Sequence, residues 1–145
     1  MKISIENISS EEKEEIIIRC YEVNDEILEL MSKLKTKSSK LIGYNGDTIY
    51  QLNPSNVYYF ESVDNKVFIY CRDKIYECKQ KLYELEQSCD QRKFFRASKS
   101  IIINITKISH VKPSISGRFE ATMENGEKIL VSRQYVSVLK SKLGL

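Results

Sequence analysis

The chain has 145 residues, 41% of them hydrophobic, which suits one working core or a core with an arm attached. No apolar stretch is long enough to span a membrane, and the polar, acidic residues 1–15 are unlike a signal peptide, so a soluble cytoplasmic protein is expected. The net charge of +3 is uneven: residues 92–145 hold eleven Lys or Arg against three Asp or Glu, a net +8, whereas residues 1–35 carry −4 and residues 36–91 carry −1. That basic last third offers salt-sensitive attraction to a polyanion, or is simply a solvated basic surface.

In chain order, an Ile3/Ile5 alternation is followed by Glu15-Ile16-Ile17-Ile18-Arg19-Cys20, which predicts a β-branched strand. Asn24 or Asp25 can cap a helix with Ile27, Leu28, Met31 and Leu34 at helical spacing. This strand-helix arm is too small to fold alone, so its apolar stripe packs either on the rest of the chain or on a second copy, and dimerisation is the favoured expectation. The polar residues 36–40 read as a joint, giving an arm over 1–40 and a main domain over 41–145.

From Leu41 the pattern changes to short strands and tight turns. Residues 41–44 and 48–52 flank Asn45-Gly46, a type I′ hairpin dipeptide, and residues 57–62 and 66–71 flank Val63-Asp64-Asn65. Asn125-Gly126 repeats the device between residues 118–123 and 128–131. Residues 80–88 predict a short helix with Leu82 and Leu85 inward, and Ser132 can cap a last helix carrying Val136, Leu139 and Leu143. Phe94, Phe95, Ile102, Leu130 and Val136 are assigned to the core, and Asn104 to bracing backbone. The expected architecture is mainly β with short helices at its edges.

Enzymatic readings have no apparatus. The five glycines form no phosphate-cradling motif, there is one histidine, His110, and neither G-x-S-x-G nor H-E-x-x-H occurs. Cys20, Cys71, Cys78 and Cys89 lack the close pairing of a zinc site and read as small buried hydrophobes with reduced thiols. No cofactor, metal or small-molecule substrate is expected, and the chain is read as a non-enzyme. Tyr58, Tyr59, Phe60, Phe68 and Tyr70 fit either an RNA-stacking face or aromatic packing, with packing favoured.

The blocks F-E-S-V-D-N-K-V at 60–67, K-L-Y-E-L-E at 81–86, F-F-R-A-S-K-S-I-I-I-N at 94–104 and E-N-G-E-K-I-L-V-S-R-Q-Y-V at 124–136 resemble the LytTR family of bacterial DNA-binding domains from about Leu41 onward. The resemblance implies an elongated fold of small antiparallel β-sheets. It also implies a transcription regulator whose sheet-edge loops enter successive major grooves at paired, similarly oriented half-sites. Asn65, Lys99 and Arg133 match base-reading positions, and an arginine can pair bidentately with guanine. Lys66, Arg96, Ser98, Ser100 and Arg118 are assigned to phosphate, with a structural ion pair as the alternative for Arg96.

Ser98 stands where many members carry histidine, which implies a different site preference. About forty residues before Leu41 are too few for the receiver domain of many relatives, so the chain resembles stand-alone members governed by membrane-protein partners. The expected partners are promoter DNA, a second copy and possible control by such a membrane protein. The alternative is a protein-interaction module whose DNA binding is gated by its partner.

Overall fold

A computed structural model describes residues 2–35 and 40–145; most of the predicted joint over 36–40 lies outside the described residues. The chain divides into two compact units, Met1–Leu34 and Lys35–Leu145.

In the first unit, helix α1 spans Asp25–Lys35. Asn24 caps it, its Oδ1 accepting from the Ile27 amide at 3.1 Å. Residues 15–20 form no strand. Their β-branched side chains favour extended backbone, but a strand needs a hydrogen-bonded neighbour and the unit supplies none. Ile3, Ile5, Ile16 and Ile17 are exposed, as is Cys20, contrary to the buried-thiol expectation.

Among its described residues the second unit holds ten strands: β1 Leu41–Asn45, β2 Thr48–Leu52, β3 Tyr59–Val63, β4 Lys66–Tyr70, β5 Ile75–Cys78, β6 Phe94–Arg96, β7 Ile101–Asn104, β8 Ile108–Pro113, β9 Phe119–Met123 and β10 Lys128–Val131. Two helices accompany them, α2 Leu82–Ser88 and α3 Val136–Leu143. A seven-stranded antiparallel sheet runs β2-β1-β5-β4-β3-β7-β6, and a three-stranded one runs β10-β9-β8.

Alternation along the central strands buries both faces of the large sheet. Phe60, Phe94 and Ile102 join Val57, Ile69, Leu82 and Leu85 in one core, under α2. Their neighbours Tyr59, Phe95 and Ile103 join Ala121, Met123, Ile129, Val131 and Leu139 in a second, shared with the small sheet and α3. Asn104, fully buried, joins the layers: its Nδ2 donates to the Val57 carbonyl at 2.8 Å and its Oδ1 accepts from the Thr106 amide at 3.0 Å. A satisfied amide is the form in which a polar group tolerates such a position.

Several details depart from expectation. The first hairpin pairs Asn45 with Thr48, so its turn is Gly46-Asp47, one residue later than predicted, with the positive φ on Gly46. Gly126 alone takes positive φ after Glu124-Asn125, closing a three-residue loop through a bond from Met123 N to Glu127 O. Leu130 is exposed because Ile129 and Val131 take the inward positions of β10. Ser132 makes no side-chain cap; a 3-10 turn over Arg133–Tyr135 precedes α3. The aromatic run packs: Tyr58, Tyr59 and Phe60 are buried, and Tyr59 stacks on Tyr70 at 4.3 Å.

Candidate nucleic-acid interface

Four chain segments meet at one end of the second unit. The β3–β4 hairpin pairs Val63 with Lys66, leaving Asp64-Asn65 as a two-residue turn with φ of 51° and 63°. Both residues are left-handed, as a type I′ turn demands, and Asp and Asn tolerate this better than other non-glycine residues. Asn65 and Lys66 are exposed at its tip.

Next to it lies the β6–β7 connection. The Ser62 amide donates to the Ser100 carbonyl at 2.8 Å, extending the β3–β7 ladder into the loop. The loop closes on itself through Ala97 N to Ile101 O at 2.9 Å and Ser100 N to Ser98 Oγ at 3.3 Å. Lys99 projects from it exposed, while Ser98 and Ser100 are half-buried.

The third segment follows β10. The Ser132 amide donates to the Ala97 carbonyl at 2.8 Å, which sets Arg133 beside the Lys99 loop. The fourth is the β8–β9 connection, residues 114–118, brought to the same end because Phe119 pairs with both Pro113 and Val131. A Cβ on Gly117 would stand 3.1 Å from Arg133 Cδ, so the arginine stem lies against this loop. All eight residues singled out from the sequence therefore share one end.

Their environments separate them. Lys66, Lys99, Arg118 and Arg133 are exposed and make no ion pair or side-chain hydrogen bond among the described residues. Three cations elsewhere in the second unit are engaged: Arg92 pairs with Asp90 at 3.2 Å, and Lys112 and Lys128 flank Glu120 at 3.6 and 3.9 Å. Arg96, its side chain only 16% exposed, donates from Nε and Nη2 to Glu86 Oε2 at 3.1 and 2.9 Å and from Nη1 to the Lys99 carbonyl at 2.7 Å. It ties α2 to the loop that carries Lys99.

Sequence reasoning missed Glu86 as the partner of Arg96, since ten residues separate them. It also missed Ile115-Ser116-Gly117, whose only local signal was a Ser-Gly dipeptide between two strands. His110 is exposed on β8, its Nδ1 3.1 Å from Ser109 Oγ. Burial pushes the thiols of Cys71 and Cys78 up and that of Cys89 to about 11. No helix among the described residues is long and apolar enough to cross a membrane.

The second unit is a mainly antiparallel β-sheet domain with exposed cations at one end, and residues 47–144 match the profile of the LytTr DNA-binding domain, a class of DNA-binding domains. The chain belongs to that family. It is 31% identical over 112 residues to the sensory transduction protein LytT of Enterococcus faecalis, a match covering 77% of this chain and 46% of LytT. It thus spans about half the length of that relative. Against an uncharacterised HTH-type transcriptional regulator of Staphylococcus aureus it is 26% identical over 147 residues, covering 100% of this chain and 99% of that protein.

Among solved structures, the LytTr DNA-binding domain of a putative methyl-accepting/DNA response regulator from Bacillus cereus superposes with a TM-score of 0.70 at 28% identity, covering 74% of this chain and 99% of that one. The fold is thereby that of a LytTr domain, mainly antiparallel β. The helices among the described residues are separated by strands, so none forms a helix-turn-helix.

Proposed function

We propose that this protein is a non-catalytic, cytoplasmic transcription regulator that binds promoter DNA in a sequence-specific way, as a dimer, through the loops at one end of residues 41–145. The observation that carries the reading is the set of four exposed cations, Lys66, Lys99, Arg118 and Arg133, unpaired among the described residues and gathered at one end of the second unit. Cations already paired would give up an internal partner to reach phosphate; these give up only water and counterions.

In this reading Asn65, Lys99 and Arg133 touch base edges in the major groove. Lys66, Ser98, Ser100 and Arg118 touch phosphates. Arg96, with three of its five N–H groups donated to Glu86 and the Lys99 carbonyl, is assigned to holding the loop instead of the nucleic acid.

The test presents the purified protein with a pool of random-sequence duplexes. Enrichment of two similarly oriented half-sites, bound about a thousandfold or more tighter than bulk DNA at matched salt, is the expected result. Equal weak binding to every duplex would overturn it. On the enriched site, Lys66→Ala should weaken all sequences alike and lower the salt slope by about one; a loss confined to particular bases would remove Lys66 from the phosphate set.

A further inference from the structure

We infer that Ile115, at the tip of the β8–β9 connection, is a base-reading residue that takes the C5-methyl group of a thymine in the major groove. The inference rests on the DNA-binding reading above and assigns one of its specificity contacts.

At 83% exposure, Ile115 is the most exposed large hydrophobic side chain of residues 40–145. A solitary exposed isoleucine needs no explanation by itself; its setting distinguishes this one. It stands on a loop closed by bonds from Ser114 N to Arg118 O at 2.8 Å and from Arg118 N to Ile115 O at 3.4 Å. Directly after it, Ser116 and Gly117 both take left-handed backbone, φ 61° and 73°. A serine held there is strained, and such strain persists where the surroundings fix the chain.

The stem of Arg133 lies against Gly117, two residues from Ile115. The loop therefore carries an exposed apolar side chain three residues before the exposed Arg118, on the same connection that the stem of the exposed Arg133 lies against. Cations hold such a loop against a polyanion, and once it is held there, an isoleucine can form no hydrogen bond with a base edge. The apolar group that distinguishes one base pair from the others in the major groove is the thymine methyl, and the minor groove presents no methyl. The side chain thus selects both a groove and a base, beside the arginine suited to guanine.

The test uses the full chain and the duplex enriched from the random pool, with each thymine in turn replaced by deoxyuridine, which removes only the methyl. For wild type, one position per half-site should lose about fourfold in affinity, the worth of one methyl group taken out of water. Ile115→Ala should lose a similar factor on the thymine duplex and nothing further at that position, while Ile115→Val keeps part of the discrimination. Wild type indifferent to every replacement, or Ile115→Ala as sensitive as wild type, would overturn the inference with DNA binding intact. A pool with no enrichment would instead overturn the DNA-binding reading, and this assignment with it.

Discussion

At the scale of single residues, Arg133 and Gly117 form one device. Arg133→Ala should cost about 1–3 kcal/mol of discrimination at the bases it reads, and its exposure means that folding barely changes. Gly117→Val places a β-branched residue at φ 73° and a Cβ within 3.1 Å of Arg133 Cδ. It should destabilise the fold by about 1–2 kcal/mol and shift Arg133 from its reading position. Binding profiles of the single and double variants decide this: if the two act through one contact, the double variant loses less preference than the sum. Full additivity would separate the glycine from the arginine. The cysteines differ in the same residue-by-residue way. Burial raises Cys89 to about 11 and also raises Cys71 and Cys78, so little thiolate exists there near pH 8, whereas Cys20 is exposed. Iodoacetamide at pH 8 should label Cys20 alone until denaturant opens the fold, which peptide mass mapping would show.

At the scale of elements, the Glu86–Arg96–Lys99 clamp ties α2 to the loop that the proposed function places on DNA. Removing Arg96 frees the Lys99 carbonyl and leaves Glu86 without its cation. Because Glu86 is half exposed, the stability cost of Arg96→Ala should be modest, about 1–2 kcal/mol. Lysine lacks the planar fork that makes three bonds to two acceptors at once. Arg96→Lys should therefore lose sequence preference at the base read by Lys99 while keeping the salt slope of wild type. A salt slope lowered by about one in Arg96→Ala, which removes the charge, would show Arg96 on phosphate after all. What the sequence could reveal follows the same division between local and distant contacts. Hairpins with left-handed turn residues were legible, as were the alternating runs of β3, β4, β9 and β10. The four-residue β5 was not, because Arg72-Asp73-Lys74 and Glu77 mask its exposed/buried alternation. Three of the proposed site's cations, Lys66, Lys99 and Arg133, lie in the ordered motif blocks, whereas Arg118 lies outside them. The bonds that gather them, Ser62 to Ser100 and Ser132 to Ala97, join backbone atoms 38 and 35 positions apart and leave no trace in residue identity.

At the scale of the whole molecule, the question is what residues 1–34 would do if the protein reads paired half-sites as proposed. An 11-residue helix is marginal in water unless a packed face supports it. Here Leu28, Leu30 and Met31 are exposed on α1, together with Ile3, Ile5, Ile16 and Ile17 before it. The β-branched run at 15–20 that lacks a strand neighbour within its own unit would gain one from a second copy, which is the physical reason to favour self-association over an idle arm. Leu28→Glu puts a charge on this apolar surface at a side chain already 54% exposed, so the monomer's fold has little to lose. Sedimentation equilibrium should show a dimer for wild type and a monomer for the variant. On duplexes with two half-sites the variant should lose affinity, and on single half-site duplexes it should match wild type. The linked gain for wild type comes from effective concentration, since the second reading unit is already held near its site once the first has bound. A wild type that stays monomeric and binds the two half-sites independently would end the dimer proposal. The exposed apolar surface of residues 1–34 would then be assigned to another protein, with a membrane-bound regulator as the first partner to test.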